Sequence, residues 1–122
     1  MDHPKTFDAD AALERLGGDS ELLAELVDAF LQYAPIILNQ IQDAAAGEEA
    51  KALEAAAHSL KGMAANLDAA TVTTLAERLE ILGHGRDLSD ACRGVTDLQS
   101  GMEELCQTLA DYRSLQGQGR AP

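Results

Sequence analysis

His58, Lys61 and Gly62 fall within about one helical turn of one another in the run Ala57-His58-Ser59-Leu60-Lys61-Gly62. Together these residue types can do chemistry. A neutral imidazole is a competent nucleophile near pH 7, because its ordinary pKa is about 6.5. A lysine three positions on shares its side of a helix. Its ammonium can offset charge on a transferred group, such as a phosphoryl, as a flexible point charge. Glycine inside a helix costs about 1 kcal/mol relative to alanine, so Gly62 needs a reason. Clearance for an incoming group is one. Taken singly, each residue has a plainer reading: a solvated histidine, a solvated charge, a helix-packing glycine. Spacing alone does not identify the reaction.

These residues need a helix to present them. Leu53, Ala56, Ala57, Leu60, Ala64 and Leu67 recur three and four apart, which predicts an amphipathic helix over about residues 48–67. At 100° per residue, His58 lies about 200° from Leu60 at the centre of the apolar stripe. It therefore points to solvent. Its neighbours one and two turns away are Glu54, Ala55, Lys61, Gly62 and Ala65. Three of these are small, so a partner's active site can close over the imidazole.

The remaining pattern is helical throughout. Asp8 can cap a short helix over residues 8–16, stopped by Gly17-Gly18. Asp19 or Ser20 caps a long second helix that Gly47 closes, with Pro35 predicted to kink it. A fourth helix is expected over residues 70–82, followed by a loop at 83–87. A fifth starts near Leu88 or Ser89 and passes Tyr112, with Gly94 and Gly101 as weak points. Short connections favour antiparallel neighbours. The expected fold is all-α: an antiparallel up-down-up-down four-helix bundle over residues 7–115, with a short extra N-terminal helix. Residues 1–6 and 116–122 are expected to be flexible tails.

Composition narrows the function. The 122 residues suffice for one compact domain. Aromatics are 3% and Trp is absent, so the core must be aliphatic. Nine Lys and Arg against 21 Asp and Glu give a net charge of −12. That balance argues against nucleic acid and anionic membrane surfaces as partners. Cys92 and Cys106 on one helix would be roughly 21 Å apart, too far to pair. A reducing, cytoplasmic setting is expected, with no signal peptide and no membrane span.

The segment Ala57-His58-Ser59-Leu60-Lys61-Gly62-Met63-Ala64-Ala65-Asn66-Leu67 resembles the signature of histidine-containing phosphotransfer (HPt) domains. Phe7-Asp8, Leu16-Gly17-Gly18-Asp19, Glu21-Leu22-Leu23 and Phe30-Leu31 resemble that family's opening, and Leu75-Ala76 and Leu79-Glu80 its helix after the histidine. The likeness spans residues 7–112. It implies that His58 is the phosphoacceptor, that Lys61 stabilises the phosphoryl group and helps docking, and that Gly62 leaves room. It also implies a relay between aspartates of response-regulator receiver domains, fed by a hybrid sensor histidine kinase. Mg²⁺ is then expected on the receiver, with no cofactor here. The chain departs from the pattern at Asp68, where the family often has glycine. That position is about 15 Å along the helix from His58.

Pairing about Gly47 sets His58 level with residues 36–37, so Gln32 and Ile36, with Ala55 and Ala65, are candidate receiver contacts. Tyr33 and Gln40 share that turn, although Tyr33 and Ile36 could equally be core residues beside the kink. Glu80 should come level with His58 and is assigned no role. The chain has no P-loop and no kinase glycine-rich loop, so a carrier acting as a monomer is expected, without kinase activity of its own. Three alternatives stand beside it. One is the phosphoacceptor domain of a chemotaxis-type kinase, whose motif more often has Ile at the place of Leu60. Another is an interaction bundle without phosphorylation. The third, a metal or haem bundle, would need inward histidines or glutamates.

Overall fold

The computed structural model describes residues 6–119, with side chains to residue 116. Five helices follow one another: α1 (Ala9–Arg15), α2 (Ser20–Ala46), α3 (Ala50–Asn66), α4 (Ala70–His84) and α5 (Ala91–Gly119). The described residues contain no strand. Helices α2 to α5 pack in a ring, each against the next and α5 back against α2. Side-chain pairings show that neighbours run antiparallel. His58 and Glu54 of α3 meet Glu80 and His84 of α4. Asp28 near the start of α2 meets Arg113 near the end of α5. The expected four-helix bundle with an added N-terminal helix is the fold observed.

The interior is aliphatic, as the scarcity of aromatics requires. Leu23, Val27, Ile41, Leu53, Leu60, Leu79, Leu98 and Leu105 are fully buried, Phe30 is the one large aromatic among them, and no described polar side chain is buried. Phe7 packs edge-on against Tyr112, with ring centroids 5.2 Å apart, and so ties the N-terminal segment to α5.

Caps form where the sequence offers an acceptor. Asp8 accepts from the Ala11 amide and Asp19 from the Leu22 amide, which satisfies one otherwise orphaned donor in each first turn. Pro35 does not interrupt α2. Several boundaries differ from expectation. Gly83 and His84 belong to the last turn of α4, not to a loop. Gly83 is there because α3 passes against it, not because the helix ends. Helix α5 begins at Ala91, two or three residues late, and continues to Gly119, past the boundary expected at residue 115. Residues 1–5 and 120–122 of the expected tails lie outside the described residues.

The left-handed positions are also displaced. Gly17 and Gly18 have positive φ, as expected after α1, but α2, α3 and α4 are followed by Glu48, Asp68 and Arg86 at φ of 53°, 52° and 57°. Gly47 and Gly85 each precede the left-handed residue and themselves have negative φ. Asp68 therefore occupies a conformation that glycine adopts without cost. Arg15 grips its Oδ1 at 2.6 Å, and its carbonyl accepts from the Asp8 amide at 3.2 Å. The Asp68 side chain thus adds an ion pair between α1 and the end of α3, and α3 itself is helical through Asn66.

Candidate functional site

The central part of α3 is the stage. Leu53, Ala57, Leu60 and Ala64 bury its inner stripe completely, which turns residues 55, 58, 59 and 62 outward. The His58 side chain is 67% exposed. Ala55 and Gly62 are exposed beside it. A Cβ built on Gly62 would meet nothing within 4 Å. No contact inside this molecule therefore requires glycine there. The space beside Gly62 is open and faces outward.

Helix α4 supplies a residue to which sequence reasoning gave no role. Glu80 Oε2 lies 2.8 Å from His58 Nδ1, and Glu80 Oε1 lies 2.6 Å from Lys61 Nζ. One carboxylate thus holds both the His58 and the Lys61 side chains. Only 19% of the Glu80 side chain is exposed. The Lys61 hydrogen bond holds its pKa below the ordinary carboxylate value; burial opposes this and the His58 hydrogen bond adds to it. The same hydrogen bond to Glu80 raises the Lys61 pKa, so the ammonium stays charged. An ionised carboxylate can only accept. His58 Nδ1 is therefore the donor in this contact, and in the neutral ring the lone pair is left on Nε2. The other ring nitrogen is fixed by what this one binds, as is general for histidine. The one sequence signal for Glu80 was its register, level with His58 across the antiparallel pair. A charge at that level is ordinary on a helix surface, so register alone carried no role.

A second pair repeats the first in reverse. His84 Nδ1 of α4 lies 2.8 Å from Glu54 Oε2 of α3. Each histidine follows a glutamate by four residues, and each glutamate reaches the histidine of the other helix. Only the first pair has a lysine. Gly83, next to His84, is where α4 meets the α3 backbone at Ala50 and Glu54.

The expected docking residues are placed as follows. Ile36 and Tyr33 on α2 are 54% and 51% exposed, so neither is core beside Pro35. Gln32 is exposed as well. Ala55 lies on the open face with His58. Ala65 is half-buried and lines a cleft of about 540 Å³ with Asp8, Arg15, Asp68 and Thr73. It belongs to the margin of the face and not to its centre. Ile81 on α4 is an additional large apolar side chain, 63% exposed, which the helical pattern did not single out. Cys92 is exposed and Cys106 half-buried on α5. No helix among the described residues is long and apolar enough to cross a membrane.

Comparison with known proteins identifies the family and the fold. A family model described as the Hpt domain matches residues 25–112. The fold is similar to histidine-containing phosphotransfer protein B from Pseudomonas aeruginosa PAO1, with a TM-score of 0.82 and 22% identity over 92% of this chain and 97% of that one. It is equally similar, at a TM-score of 0.82, to the HPT domain of a sensor hybrid histidine kinase from Shewanella, with 18% identity over 90% and 95% of the two chains. No curated protein gives a significant sequence match. With the family matched over most of its length and a bundle that presents a histidine, a lysine and a glycine on one open helix face, this chain belongs to the Hpt domain family.

Proposed function

We propose that His58 is the phosphoacceptor through which this Hpt domain relays a phosphoryl group between receiver-domain aspartates. The observation that supports this most is the pairing of His58 Nδ1 with Glu80, which leaves Nε2 as the nucleophilic nitrogen on a 67% exposed side chain. Nε2 attacks the aspartyl phosphate of a docked receiver. The aspartate of the same or another receiver later takes the group back. Lys61 is close enough to turn from Glu80 to the phosphoryl oxygens, where its charge is needed as negative charge arrives.

Positioning carries most of this reaction. The receiver docks over Ala55 and Gly62, with Ile36 and Gln32 of α2 at one side and Ala65 at the margin. Exposed isoleucine beside a reactive group is what a transient interface offers a partner. Mg²⁺ belongs to the receiver in this reading. A hybrid sensor histidine kinase supplies the phosphoryl group, and the chain acts as a carrier with no kinase activity of its own. A phosphorylated receiver domain incubated with this chain should pass on its label. A receiver that keeps its label, tested across the receivers of the source organism, would count against the reading.

A further inference from the structure

The Glu80 carboxylate has a consequence for the phosphorylated state, and that consequence rests on His58 being the acceptor. We infer that Glu80 keeps the proton on His58 Nδ1 through the whole cycle, so that the phosphorylated ring is held as an imidazolium and leaves phosphorus as a neutral imidazole.

The balance of each step shows why this matters. In the first step the Nε2 lone pair forms the N–P bond. The P–O bond to the donor aspartate breaks, and its electron pair stays on the carboxylate oxygen. The ring now bears a phosphoryl group on Nε2 and a proton on Nδ1, and it carries a positive charge. In the second step a receiver carboxylate oxygen forms the new P–O bond. The N–P electron pair returns to Nε2, and the starting tautomer is restored. No proton moves in either direction. If the phosphorylated ring lost its Nδ1 proton, the second step would have to expel an imidazolate, a far poorer leaving group.

An anion in contact with Nδ1–H opposes that loss, because opposite charge favours the protonated form. Glu80 is placed for this at 2.8 Å. Lys61, at 2.6 Å from the other oxygen, shares the carboxylate in the resting state. When Lys61 turns to the phosphoryl oxygens, Nδ1–H becomes the remaining partner of Glu80. The neighbouring groups do not duplicate this function. On α3, Glu54 is engaged by His84. On α4, Glu77 acts on Lys61. On α2, residues 32–40 contain one titratable side chain, Tyr33. Helix α5 packs on α4 and α2.

The test uses potassium phosphoramidate to load the full chain, followed by hydrolysis of the phosphohistidine across pH 5 to 9, read by ³¹P NMR. Glu80→Gln keeps an oxygen that can accept from Nδ1–H but removes the charge. The fast-hydrolysis limb of the wild-type profile should extend to higher pH than that of Glu80→Gln, by on the order of one pH unit. At pH 8 the variant's phosphohistidine should live several-fold longer. Superimposable profiles would overturn the inference. Loading that is undiminished in His58→Gln would instead remove the acceptor assignment beneath it. Should Glu80→Gln not fold or load, ¹⁵N NMR of the phosphorylated wild type decides. A proton on Nδ1 at pH 8 supports the inference, and a bare Nδ1 there overturns it.

Discussion

Gly83 of α4 touches the backbone of Glu54 on α3: a Cβ added to it would lie 2.7 Å from the Glu54 nitrogen. That is closer than real Cβ contacts come, and the opposing atom is backbone, so it cannot swing aside. The contact sits one turn from the His58–Glu80 pair and sets how near the two helices run. Gly83→Ala should destabilise the fold by about 1–3 kcal/mol through overpacking, as measured by urea unfolding. Its labelling by a phosphorylated receiver should also slow, because Glu80 moves away from His58. An unchanged midpoint would show that the helices can part at no cost.

Gly62 makes the opposite prediction. Its surroundings are empty and it lies inside a helix, so Gly62→Ala should gain up to about 1 kcal/mol from helix propensity. Receiver labelling should fall nonetheless, because the added methyl group sits where the receiver closes over His58. A variant that is both more stable and equally fast would assign Gly62 no function.

Glu80 should show in the pH dependence of stability. Its pKa is lower in the folded chain than the ordinary 4.5, so the folded state binds its proton less readily than the unfolded state does. Its contribution is therefore complete above the ordinary value and is lost as pH falls through the depressed folded value. The stability difference between wild type and Glu80→Gln should shrink as pH falls below about 4.5. A difference that stays unchanged through that acid range would contradict this placement of Glu80.

Ile36 tests docking separately from chemistry. It is 54% exposed, so Ile36→Asp should leave the unfolding midpoint within about 0.5 kcal/mol. Receiver affinity should nevertheless drop several-fold, measured by titration with a receiver that lacks its phosphoacceptor. Equal affinity would move the interface off this part of α2.

The sequence made some of this legible and hid the rest for physical reasons. Leu53, Ala57, Leu60 and Ala64 repeat at helical spacing, so the exposure of His58 followed from periodicity. The motif around it then named the chemistry. Glu80 could be set level with His58 by counting through an antiparallel turn, but hydrogen-bond reach depends on the separation of two helix axes, which spacing along the chain does not encode. The same limit hid the role of Gly83. Glycine near a helix end reads as a stop, whereas here it admits a neighbouring backbone. At Glu48, Asp68 and Arg86 the left-handed residue is not glycine, and no local rule reveals that before the packing is known.

His58, and no other residue, is predicted to receive the phosphoryl group. The direct measurement is incubation of wild type and His58→Gln with a phosphorylated receiver domain, with the modified residue then mapped by mass spectrometry under neutral conditions. Wild type should carry an acid-labile phosphate on His58. His58→Gln should carry none while keeping its helical circular dichroism. Phosphate found on His84 in wild type, or undiminished labelling of His58→Gln, would contradict His58 as the acceptor.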